Sequence, residues 1–321
     1  MKQLPLPDGA LGGAASAINN RGEIIGWYAF NGRPGMHAML WSPANGFMDI
    51  HPPGMAGHSQ AVAINEKGQI LINVSSAEFE GSVLWTPGGE SVVIDYQPSR
   101  YGVVGRGLND RGDVTGYRID YAELVAPMDA ITWSSRDGIR VLPSSAAQGY
   151  SRAMAIDINN FGKAVGVDGW VEPGGVAQPV PTFWEENRRE RVAADVEPGK
   201  CSKAPLDPIF DRILCGSWAL AINDAGQIAG SIGMRAFVST PGEKTAFIDA
   251  DFAEATGMEM TVAGGINNRG DVIGMAISGI RARAFVWYAS GFTELLPTLG
   301  SRSESRATGI NDRGQVVGFA Q

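Results

Sequence analysis

The chain has 321 residues, of which 44 % are hydrophobic, only 19 % are charged and 43 are glycine, with a net charge of -8. Low charge with abundant glycine argues for short strands and tight turns and against disorder. The acidic balance argues against a nucleic-acid partner or an anionic membrane surface, and no apolar run nears the roughly 18 residues of a membrane-spanning helix.

The first predicted element is a short strand at Gln3-Leu4-Pro5. It matches the later Leu295-Leu296-Pro297 and is expected to close the last sheet of a ring. The segment from Met1 to Pro5 has no apolar signal-peptide core, so an export signal is expected to have been removed or never to have existed.

A repeat then begins. Ile18-Asn19-Asn20-Arg21-Gly22 is followed by equivalents at Ile64–Gly68, Leu108–Gly112, Ile158–Gly162, Ile222–Gly226, Ile266–Gly270 and Ile310–Gly314. In each, Asn and Gly keep their places. Asn bonds local backbone and Gly supplies a positive φ, so each copy reads as a tight turn between two strands. Small residues alternate before the Asn, as in Ala15/Ala17 and Ala61/Ala63, which marks a strand packed closely on a neighbour. An apolar pair follows the turn, then a second Gly in six copies (Gly26, Gly116, Gly166, Gly230, Gly274, Gly318), with Ile72 in the remaining one.

Each unit continues with a third strand, ending in Trp41, Trp85, Trp133, Trp184 and Trp287, with Ser239 at that place in the fifth unit. A fourth strand follows, for instance Phe47–Ile50, Val92–Asp95 and Arg191–Ala194. Four short strands per unit of about 44 residues are the content of a propeller blade. The expected fold is all-β: one propeller domain over 1–321 with about seven four-stranded blades, or six blades and an extra hairpin.

This pattern resembles the HAF-repeat family, whose units read roughly A-x-x-I-N-x-x-G-x-V-x-G and then H-A-F-x-W. His37-Ala38-Met39-Leu40-Trp41 is the nearest match to the second part, and Arg235-Ala236-Phe237 and Arg283-Ala284-Phe285 keep its Ala-Phe. The resemblance spans nearly the whole chain. It implies a repeat β fold and an extracellular or periplasmic location, and it hands over no catalytic residues.

The Asn-x-x-Gly turns could be read as calcium loops, since Asn and Asp offer oxygen ligands. The residues that stay fixed are those a turn needs, so the structural reading is preferred and no metal or cofactor is expected. Recurrent Trp residues on third strands read as packing between blades. Trp27, Trp170 and Trp218 fall outside that pattern and are better ligand candidates. Cys201 and Cys215 flank a Pro-containing insertion at about 195–217, where a disulfide is favoured over two free thiols or a metal pair. The mixed-sign run Glu185–Arg191 reads as a solvated hairpin turn. His58 beside Ser59 is no catalytic triad by adjacency alone.

The most informative positions are those where one copy departs from the rest, because a shared backbone does not ask for the odd side chain. First strands line a propeller's channel. Five residues before the Asn the copies read Ala14, Gln60, Val104, Met154, Trp218, Val262 and Arg306. Another slot reads Ser16, Val62, Arg106, Ile156, Leu220, Gly264 and Thr308, and a slot otherwise Ala or Gly holds Asp157. Gln60, Arg106, Asp157, Trp218 and Arg306, with His58, Tyr101, Arg152 and Glu259 nearby, are therefore expected to converge at the channel mouth. Such a set suits a glycan, peptide or small polar ligand. The competing reading pairs Arg106 with Asp157 as an ion pair between blades. The expected function is an exported, monomeric binding or adhesion module. The alternatives are a lyase-, lactonase- or glycosidase-type enzyme at the same mouth, for which Asp157 and Glu259 would be the paired carboxylates, and a structural assembly module.

Overall fold

The computed structural model describes residues 2–31, 35–77, 79–94, 101–122, 127–145, 150–171, 179–196, 216–248, 260–278, 281–298 and 304–320. They form strands and turns throughout. Sheet I consists of β1 (Ala10–Ile18), β2 (Ile24–Phe30), β3 (Met36–Ser42) and β4 (Gly46–Asp49). Sheet II holds β5 (His58–Ile64), β6 (Ile70–Ser75), β7 (Glu80–Trp85) and β8 (Val92–Ile94). Sheet III holds β9 (Tyr101–Leu108), β10 (Val114–Asp120), β11 (Met128–Ser134) and β12 (Gly138–Val141).

Sheet IV is β14 (Met154–Ile158), β15 (Ala164–Asp168), β17 (Val180–Glu185) and β18 (Arg188–Arg191), extended by a two-stranded piece, β13 (Tyr150–Ser151) with β16 (Trp170–Val171). Sheet V holds β19 (Ser217–Ile222), β20 (Ile228–Ile232), β21 (Arg235–Ser239) and β22 (Ala246–Phe247). Sheet VI holds β23 (Met260–Ile266), β24 (Val272–Ser278), β25 (Arg281–Trp287) and β26 (Thr293–Leu295), and sheet VII only β27 (Ser305–Ile310) and β28 (Val316–Ala320). The architecture is thus a propeller of six four-stranded blades, with a hairpin in the seventh place of the ring. All pairings within these sheets are antiparallel.

The recurrent Asn explains the closure. At Asn109, the side-chain oxygen accepts the N–H groups of Arg111 and Asp113. Gly112, at φ +88°, returns its N–H to the Asn109 carbonyl. The same Asn then reaches sideways. Asn19 Nδ2 donates to the Asn65 carbonyl, Asn65 to Asn109, Asn109 to Asn159, Asn159 to Asn223, Asn223 to Asn267, Asn267 to Asn311, and Asn311 back to Asn19, over 2.9–3.2 Å. One residue type therefore shapes the hairpin and ties each sheet to the next.

A second ring lies one residue on. Asn20 N–H donates to Glu66, Glu66 N–H to Asp110, Asp110 to Asn160, Asn160 to Asp224, Asp224 to Asn268, Asn268 to Asp312, and Asp312 to Asn20, each at a side-chain oxygen. The side-chain amides of Asn20 and Asn268 also donate to the Asp312 carboxylate, and that of Asn160 to the carboxylates of Asp110 and Asp224. These oxygens receive N–H donors, which favours the turn reading over the calcium reading.

The apolar core sits between blades. Ile25, Ala38 and Ile50 of sheet I meet Ile70, Ile72 and Val83 of sheet II, and Ala229, Ala236 and Val238 of sheet V meet Val272 and Phe285 of sheet VI. Trp85, Trp133, Trp184 and Trp287 pack on these interblade clusters, as their recurrence predicts. Hydroxyls cross the same gaps. Ser59, Thr261 and Ser305 accept the backbone N–H of Ala38, Ala236 and Ala284 from the preceding sheet. At the seam between sheets VII and I, Thr308 Oγ1 donates to the Ala15 carbonyl at 2.8 Å.

Of the two expected blade counts, six blades and an extra hairpin is the one observed, because sheet VII has neither a third nor a fourth strand among the described residues. Two other expectations are corrected. The expected closing strand at Gln3-Leu4-Pro5 does not form. Pro5 and Pro7 lack the N–H a ladder needs, and sheet VII offers no third strand beside which it could pair. The charged run is mostly strand: β17 ends at Glu185, and Arg188–Arg191 is the outermost strand of sheet IV. All four of its residues are exposed, so an outer strand tolerates the charge that an inner one would not.

Candidate functional site

The inner strands enclose a central channel of about 660 Å³. Every inner strand carries a bulge at the same step, between Ala15 and Ala17 in sheet I and between Ala307 and Gly309 in sheet VII. In sheet III the same irregularity lies opposite Thr115 and Gly116, where Arg106 is skipped. A bulge leaves its extra residue out of the ladder and re-aims its side chain. The skipped residues (Ser16, Val62, Arg106, Ile156, Leu220, Gly264 and Thr308) all line the channel. The very next slot stays small because backbones approach there: a Cβ on Gly309 would lie 2.8 Å from the Ala17 Cα, and one on Gly107 at the same distance from the Asp157 Cα.

Of the expected site residues, Gln60, Arg106, Asp157 and Arg306 line the channel together. The ring order places them. Arg106 comes from sheet III and Arg306 from sheet VII, with sheets I and II between them on the shorter arc. Gln60 comes from sheet II. On sheet I, Ala14 and Ser16 are small, and Trp27 of β2 lines the channel behind them. Phe319, paired with Arg306 across the hairpin, lines it as well. Sheets IV, V and VI present Ile156, Leu220 and Gly264 at the bulge. The channel thus has a polar and aromatic arc and an apolar arc.

No ion pair joins Arg106 to Asp157. Asp157 instead takes the N–H of Ile158 on Oδ1 and that of Ile222, on the next sheet, on Oδ2, both at 2.9 Å. It fits a slot otherwise Ala or Gly because it bridges two blades. Burial pushes its carboxyl up to about 6, the two N–H bonds work against this, and the Asp224 carboxylate adds to it. Arg106 and Arg306 have no hydrogen-bond or ion-pair partner among the described residues. Although water reaches Arg306, desolvation by the channel wall, followed by the charge of Arg106, disfavours its charged form. In the acidic ring, burial raises the Glu66 carboxyl, a rise opposed by the Asn20 N–H and reinforced by Asp110.

The other expected residues lie elsewhere. Trp218 occupies the same slot as Arg306 but does not line the channel; its indole lies back over Gly216, where an added Cβ would meet Nε1 at 2.1 Å. Its Nε1 is buried without a partner among the described residues. His58 borders a separate cavity of about 310 Å³ with Met36, Glu80 and Tyr117, and its Nδ1 accepts the Met36 N–H. Gln60 borders both spaces. Tyr101 lies under the Arg118 guanidinium at 4.4 Å. Arg152 is exposed and donates its N–H to the Gly169 carbonyl, outside the channel lining. Glu259, Cys201 and Cys215 lie outside the described residues, as does the centre of the insertion.

Ser59 pairs with His51 rather than with adjacent His58. Ser59 Oγ accepts the Ala38 N–H and donates to His51 Nδ1 at 2.7 Å, while His51 Nε2 donates to the Met55 carbonyl. The Met55 carbonyl can only accept, so Nε2 carries the proton of that bond. With Ser59 buried, this is a staple between sheets I and II and no exposed nucleophile.

No protein-family model matches the chain, and no curated protein sequence matches it. Solved structures do match in fold. One is a streptogramin B lyase, at 10 % identity and a TM-score of 0.52, covering 100 % of this chain and 96 % of that one. Another is the β-propeller domain of the Trilobed protease from Pyrococcus furiosus, at 12 % identity and a TM-score of 0.54, covering 97 % and 90 %. At such identities the likeness shows the propeller fold alone.

Proposed function

We propose that this propeller is a binding module that holds a small polar ligand in its channel, on the arc formed by sheets VII, I, II and III. One observation carries the reading: Arg106 and Arg306 line one cavity of about 660 Å³ with Gln60, and neither arginine has a hydrogen-bond or ion-pair partner among the described residues. Both arginines are exposed to solvent, so their N–H donors stand open to a ligand rather than engaged by the protein. An unpaired set around a cavity is the pattern of a site awaiting its ligand.

A second reading, an enzyme of lyase, lactonase or glycosidase type, is favoured by Asp157, whose carboxyl at about 6 could serve as a general acid near neutrality. Both its oxygens are engaged by backbone N–H groups, which weighs toward the binding role. The resemblance to HAF-repeat proteins supports export, and an oxidised Cys201–Cys215 pair would agree with it. A denatured, unreduced sample is expected to show no free thiol, and two free thiols would remove that support.

The functional test is a thermal-shift screen against saccharides, short peptides, lactones and carboxylates. A ligand at a hundred times its Kd stabilises the folded state by about 2.7 kcal/mol. The expected hit is lost in Gln60→Ala and Trp27→Ala and is recovered unchanged after incubation. A hit that is consumed assigns the enzyme reading. A hit indifferent to both substitutions removes the channel from the proposal. Scattering mass that climbs with protein concentration, with no hit at all, supports the assembly reading.

A further inference from the structure

We infer that the channel ligand is a small organic anion, with a carboxylate, sulfate or phosphate group held between Arg106 and Arg306 and a flat or apolar body lying against Trp27 and Phe319. This rests on the channel-binding reading and names its ligand class.

The charge distribution is the first support. Four carboxylates line the channel at the hairpin-turn end: Glu66, Asp110, Asp224 and Asp312. Each accepts N–H donors within the second ring, and none is bonded to an arginine of the channel. Asp157 is held by Ile158 and Ile222. The two guanidinium groups therefore have no bonded carboxylate among the described residues, although the chain carries more acids than bases. Two like charges brought from two sheets into one opening are unfavourable without an anion between them.

Shape is the second support. Guanidinium groups offer planar forks of N–H donors that match the oxygens of carboxylate, sulfate and phosphate. Ala14 and Ser16 leave the wall of sheet I low, and the Trp27 ring fills that side of the cavity. Gln60 supplies a neutral donor and acceptor beside Arg106's sheet. A sugar ring or aryl group attached to the anion would meet an aromatic wall, and the amide would meet its hydroxyl groups. The net charge of -8 repels large polyanions at long range, so the arginine pair in the channel favours small anions.

Calorimetric titration of the full chain at low salt tests this. The anionic probes are phenyl phosphate, benzoate and galacturonate, and the neutral probes are phenyl β-glucoside and galactose. An anionic probe is expected to bind, with a Kd that rises tenfold or more in Arg106→Gln and in Arg306→Gln and rises with added sodium chloride. Arg306→Lys, which keeps the charge and loses the fork, is expected to fall between. Melting temperatures of the variants at or above that of the parent exclude unfolding as the cause. If neutral probes bind and the two arginine variants bind them equally well, the anion assignment fails while channel binding stands. If anionic probes bind undiminished in both variants, it fails likewise. If no probe of either kind binds, both readings fall.

Discussion

Replacing Asn159 by alanine tests the ring of asparagines at its simplest member. Asn159 is 4 % exposed. Its Nδ2 donates to the Asn223 carbonyl at 3.1 Å, and its Oδ1 accepts the N–H groups of Phe161 and Lys163 at 3.1 and 3.0 Å. The residue four places on is lysine rather than the Glu, Gln or Asp of the other copies, so only these three bonds are in play. At about 1 kcal/mol net for each, the loss is about 3 kcal/mol. With an unfolding entropy of about 2.1 cal/mol/K per residue, a chain of this length has about 0.7 kcal/mol/K, and the melting temperature falls by about 4–5 °C.

Asn159→Asp is more discriminating. It keeps the turn acceptor but points a carboxylate oxygen at a carbonyl. Its folded pKa would lie above the unfolded value of about 3.9, so the penalty is full above the folded pKa and disappears below about pH 4. Urea titrations at pH 7 and pH 4 would show Asn159→Asp at least as damaged as Asn159→Ala at the higher pH and recovering toward the lower. A change in Asn159→Ala smaller than about 0.5 kcal/mol, the scale of an ordinary surface substitution, would refute the view that this ring holds the sheets together.

Three further outcomes are expected. Because the Asp157 carboxyl is raised to about 6 in the folded chain, the fold is favoured by its protonated form. Stability should drop by roughly 2–3 kcal/mol as pH rises from 4 to above 6, and Asp157→Asn should flatten that slope in denaturant titrations. Gly226→Ala places a side chain at φ +80° where the nearest atom, of Pro241, is 3.5 Å away; backbone strain alone should cost about 1–2 kcal/mol, read by calorimetry. Arg306→Gln should stabilise the ligand-free protein slightly, by about 0.5 kcal/mol at low salt and less at high salt, because it removes a like charge from the channel; a loss of stability in denaturant titrations would mean that Arg306 has a structural partner.

Much of the fold was legible because the turn chemistry repeats. The Asn and Gly positions give the hairpins, and the third-strand tryptophans give the interblade core. Asp157, Arg106, Arg306 and Gln60 were legible as departures from a shared template. What periodicity did not reveal was the bulge in each inner strand, which aims Arg106 and its counterparts inward; an extra residue leaves no compositional mark. The same slot sends Arg306 into the channel and Trp218 back over Gly216, because a bulky ring follows the packing available to it. Trp27 stood out as an unrepeated tryptophan, yet its access to the channel depends on Ala14 and Ser16 being small, a relation between strands. Phe319 carried no signal. The outer strand of sheet IV was displaced because exposed strands need no apolar pattern.

The second ring of turns has a property of number. Around it the side chains run amide, acid, acid, amide, acid, amide, acid: Asn20, Glu66, Asp110, Asn160, Asp224, Asn268, Asp312. Strict alternation satisfies everyone, since each carboxamide can donate to the carboxylates beside it. Seven is odd, so alternation cannot close, and two members of one kind must be neighbours somewhere. They are Glu66 and Asp110, and the mismatch falls where the longer Glu replaces Asp and where the carboxyl is pushed upward by burial and by its acidic neighbour. A ring of six or eight would need no such defect. Duplication or loss of a single unit would therefore change the parity of the circle, and the one acidic pair at this turn position marks a circle with an odd number of sheets.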